Sequence, residues 1–256
     1  MRRKASALVL AFAIALSASA RAATDEAHEL AKKLNNPISD LVSVPFQFNW
    51  EFGNGPNDDM HHVANLQPVV PFHITEHTNL IARLIMPTIS TPQSTVAGDM
   101  TFSLFFSPAK SGGLIWGAGP AALLPRTGPK WAIGPTVVAL KQQGPYTYGV
   151  LANQLWSFTG DEQAADLSQF FFQPFFAHTS QKAVTLTLQS ESTANWNATE
   201  GNVWTVPLIA QVSKMAKFGM FPASYAAGVG FYLDAPAGGP DWKLRTVITV
   251  LIPSSQ

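Results

Sequence analysis

Twelve stretches of alternating apolar and polar residues, a sparse charge content, and a basic-then-apolar leader with no second long apolar run predict an all-β fold. Specifically, they predict an antiparallel transmembrane β-barrel of twelve strands with a short N-terminal helical segment. Charged residues make up 12% of the chain, about half the globular norm of roughly 25%. The apolar residues are dispersed by alternation rather than gathered into helical spans, which is the economy of a membrane β-barrel.

The leader comes first. Arg2, Arg3 and Lys4 precede an apolar stretch from Ala5 to Ala18, and Ala20-Arg21-Ala22 supplies the small residues that a signal peptidase reads. The stretch is shorter than the roughly 20 residues of a spanning helix, so residues 1–22 read as a signal peptide and the mature chain as exported. Residues 23–41 form an N-terminal periplasmic segment. In it Glu26, Glu29, Lys32 and Lys33 interleave with Ala27, Leu30, Ala31 and Leu34 before Asn35-Asn36-Pro37, a short amphipathic helix pattern. A solvated cap is favoured over a plug folded into a lumen, because one helix of about 10 residues is a weak signal.

Residues 42–256 are assigned to the barrel. From Val42 to Phe52, Val42, Val44, Phe46, Phe48, Trp50 and Phe52 share one face of an extended strand, and Ser43, Pro45, Gln47, Asn49 and Glu51 share the other. A soluble strand usually stops at about 5–6 residues, whereas a tilted membrane strand needs roughly 9–11. The second strand alternates through Ala64–Phe72, the third through Asn79–Met86 and the fourth through Asp99–Ser107. Leu114–Leu124, Trp131–Lys141, Tyr146–Trp156 and Gln169–Ala177 follow. The last four are Val184–Thr193, Val203–Val212, Ser224–Leu233 and Trp242–Ile252. An even count is what bacterial single-chain barrels use.

The connections alternate in length. Thr75–His77, Ser107–Gly113, Gln142–Pro145 and His178–Ala183 are mostly tight, whereas Gly53–Met60, Pro87–Gly98, Ser157–Asp166 and Ala194–Asn202 are longer and more polar. Short periplasmic turns and long outer loops produce that asymmetry. Against the pattern stand Pro45, Pro68, Pro71, Pro120, Pro135, Pro174 and Pro207, which fall inside the expected strands. Each removes a ladder donor, in a fold with no edge to hide the loss.

Chemistry is sparse. With no cysteine there is neither a thiol nucleophile nor a thiolate metal site, and a net charge of zero argues against a nucleic-acid partner. His178 and Ser180 are two apart, as in outer-membrane phospholipases, but they sit in a short turn expected on the periplasmic side, so a chance pair is the preferred reading. His61 and His62 beside Asp58 and Asp59 resemble a metal site, yet adjacent strand residues point to opposite faces. No phosphate loop, zincin motif or nucleophile elbow occurs. Catalytic residues, cofactor sites and metal sites are therefore expected to be absent.

The informative polar residues are the charges opposite the apolar faces: Glu51, Arg83, Glu191, Lys243 and Arg245. An Arg or Lys facing lipid at the midplane costs about 2–4 kcal/mol, so these five are the candidate lumen-lining residues. Aromatic side chains at Trp116, Trp131, Trp156, Trp196, Trp204 and Trp242, with the Phe170–Phe176 run, fit interfacial girdles.

Several blocks carry a resemblance. Ser43-Val-Pro-Phe-Gln-Phe-Asn-Trp50, Leu66-Gln-Pro-Val-Val-Pro-Phe72, Gly113-Leu-Ile-Trp-Gly-Ala-Gly-Pro120, Leu140-Lys-Gln-Gln-Gly-Pro145, Tyr148-Gly-Val-Leu-Ala-Asn-Gln-Leu-Trp156 and Gly238-Gly-Pro-Asp-Trp242 are similar to a bacterial outer-membrane β-barrel transporter family associated with phenol-degradation pathways. The likeness runs from about Glu29 to Pro253. It implies a barrel in the bacterial outer membrane and no particular substrate, and it carries over no catalytic or binding residue. The final strand departs from the usual aromatic ending, closing on Val-Leu-Ile-Pro and Ser254-Ser255-Gln256.

The expected function is an outer-membrane channel or transporter passing small solutes, hydrophobic or aromatic by resemblance. Its expected partners are outer-membrane lipids, an unidentified small molecule and the barrel-assembly machinery. The alternatives are a lipid-acting outer-membrane enzyme and a secreted β-sandwich binding protein.

Overall fold

A computed structural model describes residues 25–110, 112–198 and 202–252. The expected signal peptide at residues 1–22 lies outside them, as do residues 253–256. The strands are β1 (Val42–Asn54), β2 (Asp59–Leu66), β3 (Val69–Thr75), β4 (Thr78–Ser90), β5 (Thr95–Ala97), β6 (Met100–Pro108), β7 (Leu114–Leu124) and β8 (Lys130–Gln143). They continue as β9 (Tyr146–Gly160), β10 (Ser168–Thr179), β11 (Val184–Ser190), β12 (Ser192–Asn195), β13 (Trp204–Phe218), β14 (Phe221–Asp234) and β15 (Trp242–Ile252).

Every pairing is antiparallel, and the sheet closes on itself. β1 runs beside β15 from Val42 opposite Ile252 to Phe52 opposite Trp242. The β2–β3 and β11–β12 pairs are each one interrupted stave, and β5 folds back on β4 as a short addition in the following loop. The result is a twelve-stranded closed barrel, so the sandwich alternative falls. Closure leaves no free edge, since each stave finds its hydrogen bonds on both sides.

Burial along the staves inverts the rule of soluble proteins. On β8, Trp131, Ile133 and Val137 are exposed while Ala132, Thr136, Val138 and Leu140 between them are buried. The same holds on β1, where Phe46 and Phe48 are exposed and Asn49 is 4% exposed. Large apolar side chains over the whole outer surface are out of place in water and at home in lipid. Aromatic residues mark two heights on that surface. Tyr146, Tyr148 and Phe176 lie near the end of the barrel that carries the short turns. Trp131, Trp156, Trp196 and the stacked Phe52–Trp242 pair, 4.2 Å between ring centroids, lie near the end with the long loops. Tyr148 and Trp156 are separated by eight residues of β9, or about 20 Å of height at ~3.3 Å per residue and ~40° tilt.

The seven prolines expected within strands all sit where the ladder lapses. Pro68 occupies the break between β2 and β3, and Pro45 faces that break from β1. Pro71 pairs with Ile81 on one side only, since β3 meets β1 at a single residue pair. Pro120 and Pro135 oppose one another across β7 and β8, and each falls in a gap in the pairing to its other neighbour. Gly119 and Gly134 precede them. A Cβ at either would lie 2.2 Å from the Leu104 carbonyl oxygen or 1.8 Å from that of Gln154, so only glycine permits the close approach. Pro174 faces the break between β11 and β12, and Pro207 sits at a register shift between β13 and β14. A missing donor costs little where the pairing is already interrupted.

The N-terminal segment corrects an expectation. Residues 25–34 do form a helix, but it is a plug and not a solvated cap. Ala31 is buried against Ala183, Met215 and Leu251, with Ala27, Leu30 and Leu34 packed around them. Gln142 donates to the Lys32 carbonyl at 2.8 Å and Asn35 donates to Thr179 at 3.0 Å. The helix presents its apolar residues at i, i+3, i+4 and i+7, and the inward positions at the short-turn end are the apolar partner that this stripe requires. Beyond the helix, Ile38 inserts into a core of Ile81, Phe105, Val138, Leu140 and Leu151.

Candidate functional site: the barrel lumen

The site is built from inward positions of non-adjacent staves. Arg245 on β15 forms a bidentate ion pair with Glu191, both N–H···O distances being 2.6 Å. The neighbours of β15 are β14 and β1, so a bond to residue 191 must run through the interior. Glu191 falls between β11 and β12, at the stretch where Pro174 and Pro207 have removed donors on the two flanking staves. The break that two prolines create is thus the place where the lumen receives its central carboxylate.

Arg245 is 2% exposed and also donates Nε to Asn49 at 2.7 Å. Gln189 donates to Glu191 at 3.2 Å, and Gln173 donates to Gln189 at 3.3 Å. A second knot lies toward the long-loop end. Tyr232 donates to Glu51 at 2.6 Å, Lys243 Nζ is 3.8 Å from the same carboxylate, and the ammonium lies 5.1 Å from the Tyr232 ring centroid. Both acids are therefore compensated at short range, as buried charges must be. Arg83 on β4 lies outside both knots, donates to Gln67 at 3.0 Å and feels the Glu191 carboxylate only through space. Among the described residues no carboxylate lies within ion-pair distance of it.

Of the five charged residues singled out from sequence, the structure joins four into two knots and sets Arg83 beside a cavity. Sequence reasoning missed Tyr232 as a partner. Its signal was present in phase: it shares parity with Ser224, Ala226, Gly228 and Gly230, the small inward residues of β14.

Among the described residues the opposite half of the lumen has no such ion-pair network, and its buried polar side chains are Ser and Thr such as Ser103, Ser107, Thr136 and Thr147. Ile81, Phe105, Val138, Leu140 and Leu151 are buried with Ile115, Phe171 and Phe175 packed on them. Ala121, Ala132 and Leu155 form a second apolar cluster with Leu123 and Leu167. Gly117 makes room for the plug: a Cβ there would lie 3.2 Å from Ile38 Cδ1 and 3.3 Å from Phe105 Cβ.

Between plug and network lies a cavity of about 230 Å³, floored by residues 34–39 and lined by Arg83, Gln67, Gln173, Gln189, Val69 and Phe175 among others. At the long-loop rim, Asp99 accepts backbone N–H bonds from Arg126, Thr127 and Gly128 at 2.9, 3.1 and 2.8 Å. Burial pushes its carboxyl up, but those three donors outweigh it and hold Asp99 below the ordinary carboxylate range.

The other candidates stay apart. His178 packs against Tyr146, 5.2 Å between ring centroids, while the Ser180 hydroxyl accepts from the Val184 N–H. His61 opposes Glu51 and His62 opposes Trp50, on opposite faces. Among the described residues no three His, Asp or Glu side chains gather to hold a metal ion.

Neither a family model nor a curated protein sequence matches this chain. Solved structures do. An outer membrane channel from Pseudomonas putida F1 superposes with a TM-score of 0.62 at 15% identity, over 83% of this chain and 94% of that one. The NanC porin superposes with a TM-score of 0.56 at 10% identity, over 82% of this chain and its own full length. Both likenesses are of fold.

Proposed function

We propose that this chain is a channel of the bacterial outer membrane, with the short turns and the plug on the periplasmic side. The observation that carries the reading is the two-sided wall: an outer surface of exposed large apolar residues around an interior that holds a compensated charge network and a cavity. A protein needing only to fold in lipid has no use for a polar interior space, whereas a conduit does. Glu51, Arg83, Glu191, Lys243 and Arg245 then line the route. A wall of mixed sign selects weakly by charge, where a ring of one sign selects strongly, so the cargo is small and neutral or weakly charged. The structural similarity to an outer membrane channel and a porin supports this reading, and the sequence resemblance to transporters associated with phenol degradation points to hydrophobic or aromatic solutes. Outer-membrane lipids and the barrel-assembly machinery are the partners this location requires.

The test is reconstitution. Mature protein in liposomes should accelerate the uptake of benzyl alcohol over empty liposomes, and in cells it should pellet with outer membranes and resist carbonate extraction. A protein that moves no solute yet releases fatty acid from phospholipid would replace the channel with the lipid-acting enzyme, and recovery as a soluble periplasmic protein would remove both.

A further inference from the structure

We infer that the cavity beneath Arg83 is a binding site for a small aromatic monocarboxylate. The inference rests on the channel reading for its purpose, though not for its geometry.

Three properties of the cavity define the ligand. The first is charge. Of the five inward charges, Arg83, Lys243 and Arg245 are cations and Glu51 and Glu191 anions; both anions make their hydrogen bonds to other partners, and Glu191 reaches Arg83 only as a through-space attraction. Arg83 has a neutral amide, Gln67, as its hydrogen-bonded partner. A guanidinium presents five N–H donors in a planar fork, so a carboxylate can take a parallel pair while Gln67 keeps its own bond. One surplus positive charge matches one negative charge. A dianion would leave an uncompensated charge, and a neutral solute would leave the fork without an anion.

The second is size. A cavity of about 150 Å³ holds a benzene molecule, and this one measures about 230 Å³. The difference accommodates a carboxylate. The third is the division of the lining. Val69, Phe175, Ala177 and Val247 offer apolar surface for a ring within a lining that is otherwise largely polar, and Gln67 is the amide that meets the guanidinium. Segment 34–39 floors the space, so the plug that narrows the lumen also forms one wall of the site.

Calorimetry on the detergent-solubilised mature protein tests this with benzoate and its uncharged isostere benzamide at neutral pH. Benzoate should bind at least about tenfold more tightly, the scale of one charge-assisted pair of hydrogen bonds. Arg83→Gln should abolish that preference, and Val69→Phe, which adds bulk to the cavity wall, should weaken both probes. Equal affinity for the two in the unaltered protein would overturn the proposal. So would an Arg83→Gln protein that still prefers benzoate. If Arg83→Gln does not fold, Val69→Phe decides alone, and unchanged benzoate affinity there would overturn the site. Liposome flux separates this from the channel reading. Binding of benzoate without movement of any solute refutes the conduit and leaves the site, whereas conduction without preference for benzoate does the reverse.

Discussion

The two halves of the lumen wall solve the same problem, filling the inside of a barrel, by opposite means. Apart from Arg83 at its β4 margin, the half from β4 to β9 is filled mainly by volume. Ile81, Phe105, Val138, Leu140 and Leu151 interdigitate with Ile38 from the plug, and glycine or alanine at 117, 121 and 132 gives them room. The half from β11 through β15 to β1 is filled by charge, with Arg245, Glu191, Asn49, Lys243, Glu51 and Tyr232 locked by short hydrogen bonds. Dispersion contacts are many, weak and indifferent to which partner supplies them. A buried ion pair depends on one partner, whose loss strands the other. The halves should therefore fail differently, the polar one abruptly and the apolar one by degrees.

The largest effect is expected on the polar half. Arg245→Met removes the counter-charge of Glu191 and should cost about 3–5 kcal/mol, read as a lowered midpoint of urea unfolding in detergent. Adding Glu191→Gln should recover much of it, because the stranded charge is the main penalty. A loss that is small, or that the second change does not reduce, would show that the network contributes no more than packing. On the apolar half, Ile81→Val removes one methylene from a fully buried side chain and should cost about 0.5–1.5 kcal/mol by the same measurement. A loss as large as that of Arg245→Met would erase the distinction between the halves.

The smallest effect lies at the rim of the apolar half, where Asp99 ties the β7–β8 loop. Its carboxyl titrates below the unfolded value, so its stabilisation is present above about pH 4 and is lost as pH falls through the lower folded value. Hydrogen exchange at Arg126, Thr127 and Gly128, corrected for intrinsic rate, should show protection at neutral pH that disappears in acid. Protection that stays unchanged at every acidic pH at which the barrel remains folded would mean that the loop holds without the carboxylate.

Legibility in the sequence follows the same division. Strands whose lumen face is polar alternate in hydropathy, so the faces of Val42–Phe52 and Trp242–Ile252, with Glu51, Lys243 and Arg245 inside, were readable residue by residue. Leu114–Leu124 is apolar or small at nearly every position, because Ile115, Gly117 and Ala121 meet the core while Leu114 and Trp116 meet the outer surface. Periodicity reports a difference between two environments, and there the two environments are alike. The strand was therefore legible and its inward face was not.

Alternation, strand length, even strand number and unequal turns are local properties of the chain, and they determined a closed antiparallel barrel and the inward parity of five charges. Which charges meet is a property of closure. Residues 191 and 245 become partners because the curvature of a twelve-stranded ring turns the inward side chains of β11–β12 and β15, three staves apart, toward one another in the interior. The same closure turned the amphipathic helix from a cap into a plug, since its apolar stripe finds partners at Ala183, Met215 and Leu251 only once the ring exists. It also settled the prolines, each of which is tolerable for what the neighbouring stave omits. Such pairings depend on distance in space, and the spacing of residues along a strand carries no information about what lies across the lumen.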